Sequence, residues 1–206
     1  LQEVLVTTRD DAFVEELREP AGPELAEYFS WLGLSPVEGN RAEANLAAPE
    51  WMRHVGKRIE KGFALTIDYG YPVEELYAPY RRAGTLMCYH RHQADDNPYD
   101  RVGEKDITAH IDFTALQKAG CEVGLEALWF GEQYRFLLAL GFFEELVRLE
   151  AAAKDEKEAR ALRLTLKNLI MPEAGMGETF KVLVQGKNVG SPELSCSRSI
   201  DAIAFG

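Results

Sequence analysis

The spacing of apolar and polar residues along the chain predicts a mixture of strands and helices. Alternation over residues 4–8 and 12–17, on either side of a polar turn, predicts a β-hairpin. Apolar residues that recur every three or four positions predict helices over residues 24–32, 50–61, 113–119, 133–150 and 155–171. Pro49 marks one predicted helix start, and Gly33 and Gly120 mark predicted helix ends. Apolar runs predict further strands over residues 62–70, 85–89, 121–130 and 180–184, with a loop over residues 90–104.

The strand predicted at residues 62–70 organises this pattern. Its apolar run ends in Asp68, Tyr69 and Gly70, which is typical of a buried parallel strand where it emerges at its carboxyl end. The helix that leads directly into it is typical of the second half of a βαβ unit. Because open α/β sheets bind ligands outside the carboxyl ends of their strands, we expect the functional site there.

Composition narrows the class of protein. The chain has 206 residues, 46% of them apolar, which suits one large domain with a sizeable core. A net charge of −11 argues against nonspecific binding to nucleic acid or to anionic membranes. Three cysteines without CxxC spacing favour a reducing compartment, and no apolar run approaches the ~20 residues of a membrane span. We therefore expect a soluble, cytoplasmic protein.

Two groups of polar residues are candidates for chemistry. Asp68 would orient a substrate or accept a proton, and Gly70 would allow close backbone approach, although the residues alone equally allow a strand that simply ends at Asp68. His90, His92 and His110 lie near each other in sequence without a ligand set of defined geometry, so no metal site is predicted. We expect His92 to line a pocket.

Asp112 is interpreted as the N-cap of the helix at residues 113–119, in preference to a catalytic acid. The sequence contains no GxSxG, Walker or GxGxxG motif. Gly175 and Gly177 precede a strand, where they would not present helix N–H groups to a phosphate. The sequence therefore lacks a recognisable cofactor cradle of its own.

Several blocks in register resemble the MidA-like S-adenosylmethionine-dependent methyltransferases, a group that includes the mitochondrial methyltransferase that assists complex I assembly. The resemblance extends from about residue 1 to residue 187. Its blocks are GFALTIDYG at residues 62–70, GTLMCYHRH at 84–92, DITAHIDF at 106–113, Gly131 with Gln133, Phe136-Leu137 with Gly141, and MGETFKVL at 176–183.

The resemblance implies an α/β fold with a partial Rossmann-like methyltransferase sheet, flanking helices and an inserted hairpin and helical region. Residues 1–61 would form the insertion, 62–187 the C-terminal half of the core, and 188–206 a tail. Strand 62–70 would be the fifth core strand, and the last strand would be antiparallel. The residues that bind S-adenosylmethionine in this family would precede the chain, which also begins at Leu1 within a strand pattern. Alone, the chain would be inactive.

The activity implied by the resemblance is methyl transfer to a protein side chain, an arginine as in the mitochondrial relative. A guanidinium substrate needs carboxylates, because it pairs with them bidentately and does not lose its proton unaided. The implied catalytic residues are Asp68, Tyr69 and His92. The implied substrate-binding residues are Gly70, Asp106, Thr108, Asp112 and Gln133.

Two alternatives to an enzyme of this kind stay open. One is a non-catalytic module that only holds a partner protein, and the other is an unrelated hydrolase with a His/Asp pocket, which the missing nucleophile motif disfavours. If the first four core strands are absent, strand 62–70 exposes an edge. We expect that edge to form a homodimer or to pair with an N-terminal half.

Overall fold

A computed structural model of the chain describes residues 1–91, 93–171 and 175–198. The strands are β1 (Glu3–Arg9), β2 (Ala12–Arg18), β3 (Gly62–Tyr71), β4 (Met87–His90), β5 (Gln93–Asp95), β6 (Asp106–Thr108), β7 (Ile111–Asp112), β8 (Glu126–Glu132) and β9 (Phe180–Lys187). The helices are α1 (Glu24–Leu32), α2 (Ala47–Arg58), α3 (Val73–Leu76), α4 (Phe113–Cys121), α5 (Gln133–Ala139), α6 (Phe142–Ala151) and α7 (Glu156–Ile170), followed by a short 3-10 helix, Ser195–Ser197. The mixed α/β class is as predicted.

The chain divides into two compact units. The first consists of Leu1–Glu50 and Tyr71–Ala115, and the second of Trp51–Gly70 and Leu116–Gly206. The boundaries of these units differ from those of the predicted segments 1–61, 62–187 and 188–206. The division into those three segments stays a prediction. Among the described residues, no helix has both the length and the apolar content needed to cross a membrane.

The first unit contains the predicted hairpin. β1 and β2 pair antiparallel, and Asp10 and Asp11 at their turn have φ angles of 50° and 60°. Asp tolerates this left-handed region because its short side chain bonds locally, so the turn confirms the sequence signal. A second small sheet has the order β5-β4-β6. The core of this unit consists of buried residues of α1, of α3 with its C-cap, and of α4: Tyr28, Phe29, Val73, Leu76, Tyr77 and Ala115.

Within the second unit, the sheet has the order β3-β9-β8. β9 is antiparallel to both neighbours, so β3 and β8 run parallel to each other. The antiparallel last strand agrees with the implied methyltransferase sheet. Val182 and Val184 of β9 are buried with Cys196 beneath Trp129, Phe136 and Leu194.

Several predicted boundaries were wrong. α2 begins at Ala47 rather than at Pro49, because the Asn45 side chain accepts the backbone N–H of Ala48 at 3.0 Å and caps the helix earlier. The loop at residues 90–104 contains β5, which pairs with β4. The helix predicted over residues 133–150 is two helices, separated at Gly141, whose φ of 91° is not helical.

Gly120 does not end α4, because the helix continues to Cys121 and the left-handed turn falls at Gly124, with φ +83°. The strand predicted over residues 121–130 therefore begins only at Glu126. Gly120 is in the helix for a packing reason. A β-carbon there would lie 2.1 Å from Gln185 Nε2, so the close approach to β9 requires glycine.

Candidate functional site

The carboxyl ends of β3 and β8 and the amino end of β9 lie at the same end of the sheet in the second unit. Asp68 of β3, Lys181 of β9 and Glu132 of β8 are opposite one another in register. The Lys181 ammonium donates to the carbonyl oxygen of Glu178 at 2.7 Å and lies 3.8 Å from Glu132 Oε1. Charged residues from three adjacent strands are therefore neighbours in register where a ligand is expected.

The Asp68 side chain is hydrogen-bonded to the backbone of the next residue. Its Oδ1 accepts the N–H of Tyr69 at 2.8 Å, and the residue is half-buried. A hydrogen bond between a carboxylate and an adjacent N–H restricts the side-chain rotation that an unbound aspartate would have. The restricted carboxylate suits binding of a substrate with several N–H donors.

Tyr69 and Gly70 complete the end of β3. The ring of Tyr69 packs edge to face against Phe180, with 5.5 Å between the ring centroids. Gly70 is buried. Edge-to-face packing restricts the orientation of the tyrosine ring.

Gln133 is buried, and its amide is already bonded. Its Nε2 donates to the carbonyl oxygen of Leu169 at 3.0 Å, and the next N–H, of Tyr134, donates to the carbonyl oxygen of Gly177 at 3.0 Å. Both bonds attach the start of α5 to the segment around the end of α7. The proposed part of Gln133 in substrate binding stays a prediction.

Three of the predicted substrate-binding residues lie in the first unit. Asp106 is exposed on β6, and Thr108 of the same strand donates from Oγ1 to the carbonyl oxygen of Met87 at 3.2 Å. Asp112 is buried and accepts the N–H of Ala115 at 3.0 Å, which confirms the predicted N-cap of α4. His92 lies outside the described residues.

Asp112 belongs to a buried polar network that the sequence did not indicate. Tyr28 donates its hydroxyl to Asp112 Oδ2 at 3.3 Å, and Tyr77 donates its hydroxyl to the carbonyl oxygen of Glu43 at 3.0 Å. Burial raises the pKa of the Asp112 carboxyl and raises the pKa of both tyrosines. These tyrosines occur in apolar patterns, so a sequence reading assigns them to the core and misses their hydroxyls.

Glu43 is a second residue that the sequence did not single out. Its Oε2 accepts both the N–H and the hydroxyl of Thr85 at 2.8 Å, and the Thr85 oxygen accepts the N–H of His110 at 3.0 Å. Gly84 has φ +77°, and a β-carbon there would lie 2.2 Å from Glu43 Oε1. Gly84-Thr85 begins one block of the family resemblance, which was the available signal for this contact.

The comparison with protein families decides which class this chain belongs to. Residues 1–131 match a family model described as "Putative S-adenosyl-L-methionine-dependent methyltransferase". The chain belongs to this methyltransferase family. The match confirms the family that the sequence blocks indicated. The cofactor of this family is S-adenosyl-L-methionine.

Solved structures agree with the family. One is a "COG1565 superfamily member and likely methyl transferase" from Burkholderia thailandensis bound to S-adenosyl-homocysteine, at 34% identity and TM-score 0.84, with 96% of this chain and 50% of that chain covered. Another is an uncharacterized COG1565 superfamily protein from the same organism, at 34% identity and TM-score 0.79, covering 100% of this chain and 52% of that one. This chain therefore spans about half the length of these structures. Among curated proteins, no sequence matches.

The residues described do not by themselves fit the whole cofactor. β3 leads through Pro72 into the four-residue helix α3, and β8 leads into α5 without an intervening turn. Neither junction carries the glycine-rich turn that presents backbone N–H groups to a nucleotide. In the same part of the chain, no cluster of three or more His, Cys, Asp or Glu side chains is arranged to hold a metal ion.

Proposed function

We propose that the chain forms the acceptor-binding part of an S-adenosyl-L-methionine-dependent methyltransferase that acts on a protein side chain, an arginine. The observation that carries the proposal is the orientation of Asp68, whose Oδ1 is held by the Tyr69 N–H at the carboxyl end of β3. Family membership supports the methyl transfer. The resemblance to the complex I assembly methyltransferase supports a protein arginine as the methyl acceptor.

The chemistry at the acceptor explains why a fixed carboxylate matters. A methylated guanidinium gains a carbon at one nitrogen and loses a proton from it. Arg stays protonated at neutral pH, so the group must be bound through charge-assisted hydrogen bonds and relieved of a proton as the new bond forms. Asp68 is suited to both tasks, and the cofactor supplies the methyl group.

Two bulk properties support a protein substrate in a reducing compartment. The net charge of −11 favours association with a basic partner surface. Cys88, Cys121 and Cys196 are all free thiols. Free thiols are the usual state of cysteine in the cytoplasm, so the protein is proposed to act there.

The test compares Asp68→Asn with Asp10→Asn in the full-length polypeptide that contains residues 1–206. Transfer of a labelled methyl group to protein arginine is measured by mass spectrometry. The Asp68 variant should lose about 10²- to 10⁴-fold in rate, the range for a residue in proton transfer. The same change at Asp10, an exposed turn residue with φ 50° that asparagine accepts, should have no effect. Equal rates for the two variants would remove Asp68 from the site.

A non-catalytic binding module is the competing function. It is favoured by the lack of a nucleotide-binding turn at the β3 and β8 junctions. Calorimetry with S-adenosyl-L-methionine separates the two functions, because a binding module in its full-length form would take up no cofactor. Cofactor binding together with arginine methylation would exclude the module.

A further inference from the structure

The helical hairpin formed by α6 and α7 has large apolar side chains in contact with solvent. Phe143 and Val147 of α6 are 54% and 66% exposed, and Leu164 of α7 is 57% exposed. The two helices are joined by the short segment 152–155 and pack against each other, so they run antiparallel. Solvent therefore contacts apolar side chains of both helices.

The exposed apolar side chains of α6 lie on the side where the two helices are bonded to each other. Arg163 of α7 donates to the Glu150 carboxylate of α6 at 2.7 and 3.1 Å. Residues three or four positions apart are neighbours on one side of a helix, so Val147 and then Phe143 follow Glu150 along α6. Lys167 follows Arg163 along α7 in the same way. We call this surface the hairpin face.

The charges of the hairpin face are separated by helix. In α6 the acidic residues outnumber the basic ones, because Arg148, which bonds to Glu145 at 2.8 Å, is accompanied by Glu144, Glu145 and Glu150. Between Ala159 and Ile170, α7 has no acidic residue and three basic ones: Arg160, Arg163 and Lys167. Leu164 lies four positions after Arg160 and three before Lys167. The hairpin face is therefore acidic and apolar along α6, and basic along α7.

A second copy of the same hairpin is complementary to this face. A twofold axis parallel to the helices places α6 of one copy over α7 of the other, as in a four-helix bundle. Glu144 lies six positions before Glu150, and Lys167 lies four positions after Arg163, which is about 9 Å and about 6 Å along the antiparallel helices. Glu144 of one copy and Lys167 of the other therefore come to nearly the same height, and the symmetry makes this pair twice.

The other way of pairing the face with itself is electrostatically unfavourable. A twofold axis across the helices would place α6 over α6, with Glu144 and Glu145 of one copy near the same residues of the other. Like charges brought together at an interface disfavour that arrangement. The separation of charge therefore selects the pairing of α6 with α7.

We propose that the protein forms a homodimer through the hairpin face, with α6 of each copy packed on α7 of the other. Burial of Phe143, Val147 and Leu164 supplies the attraction. The aliphatic stems of the basic side chains of α7 cover apolar surface while their charged ends reach the carboxylates of α6. This pairing is independent of the proposed methyl transfer.

Sedimentation equilibrium of the protein tests the pairing by measuring the Kd of the dimer. Val147→Glu places a charge within the hairpin face. Val102→Glu is the matched control, at a 61% exposed position of the loop between β5 and β6. Leu65→Glu, at a 53% exposed position, tests β3, whose edge was predicted to form a homodimer. Thermal melting followed by circular dichroism verifies that each variant is folded.

We expect wild type, V102E and L65E to dimerise equally, and V147E to raise the Kd at least about tenfold, because it buries a charge without a partner. Glu144→Lys and Lys167→Glu are changes at exposed positions, and each should raise the Kd about tenfold by opposing like charges at two symmetric places. An equal mixture of E144K and K167E should recover the wild-type affinity, because both pairs in the mixed dimer are again of opposite sign.

A protein that remained monomeric up to about 0.1 mM, where micromolar pairing is fully populated, would overturn the homodimer. A dimer that V147E leaves intact would overturn the hairpin face as its interface, and dissociation by L65E alone would locate the contact on β3. Failure of the E144K and K167E mixture to recover affinity would overturn the pairing of α6 with α7.

Discussion

Gly120 of α4 lies directly against the side chain of Gln185 on β9. A β-carbon on Gly120 would stand 2.1 Å from Gln185 Nε2 and 3.1 Å from its Cδ. Gln185 is fully buried, and its amide donates to the carbonyl oxygen of Leu125 at 3.3 Å. The glutamine therefore cannot move into solvent to make room. The short distance between α4 and β9 depends on the lack of a side chain at Gly120.

Gly120→Ala should consequently destabilise the protein although alanine favours helices. Overpacking costs about 1–3 kcal/mol, whereas the propensity gain within a helix is about 1 kcal/mol. Urea unfolding should give a net loss of up to about 2 kcal/mol, instead of the gain of about 1 kcal/mol that propensity alone would give. Gly22→Ala is the control, because its β-carbon would meet only the end of the exposed Glu24 side chain, which is free to rotate. A G120A variant as stable as G22A would show that this packing is not tight.

The buried carboxyl of Asp112 should make stability depend on pH. Burial raises its pKa in the folded protein above the ordinary value of 3.8. The folded state then binds the proton more tightly than the unfolded state, so Asp112 contributes most below pH 3.8, and the contribution is lost as pH rises through the folded pKa.

Asp112→Asn keeps an N-cap and removes the titration. Relative to this variant, the wild type should lose free energy of unfolding as pH rises from below 3.8. Tyr28→Phe should extend the loss to higher pH, because the tyrosine hydrogen bond lowers the Asp112 pKa and opposes burial. Urea midpoints measured across the acid range check both. If the difference in free energy of unfolding between wild type and D112N did not change with pH, the raised pKa of Asp112 would be contradicted.

Asp155 should stabilise α7 through its cap. Its Oδ1 accepts the N–H of Glu158 at 2.8 Å, which satisfies a donor that the first turn of a helix leaves unpaired. Asp155→Ala should cost about 1 kcal/mol in urea unfolding, and Asp155→Ser should restore most of it. If alanine and serine were equivalent at this position, the side-chain bond would contribute nothing measurable.

Local signals in the sequence determined the hairpin, the end of α1 at Gly33 and the start of α7 after Asp155. Each depends on neighbouring residues: a left-handed turn at Asp10 and Asp11, a glycine with φ 78°, and a capping carboxylate. The family was also indicated by the sequence itself, and residues 1–131 match its model. The position of Asp68 near the carboxyl end of β3 also followed from the strand pattern, whereas its bond to the Tyr69 N–H did not.

Long-range packing decided the rest. Gly120 was predicted to end a helix because glycine usually does, and only its contact with Gln185, 65 positions away, reveals the packing reason. The Tyr28–Asp112 and Glu43–Thr85 bonds likewise join distant parts of the chain. Phe63, Leu65 and Ile67 have the sequence pattern of a buried strand, and only the structure shows that their cover ends at β9. A pattern records which side chains favour burial, whereas the tertiary structure determines which of them are covered.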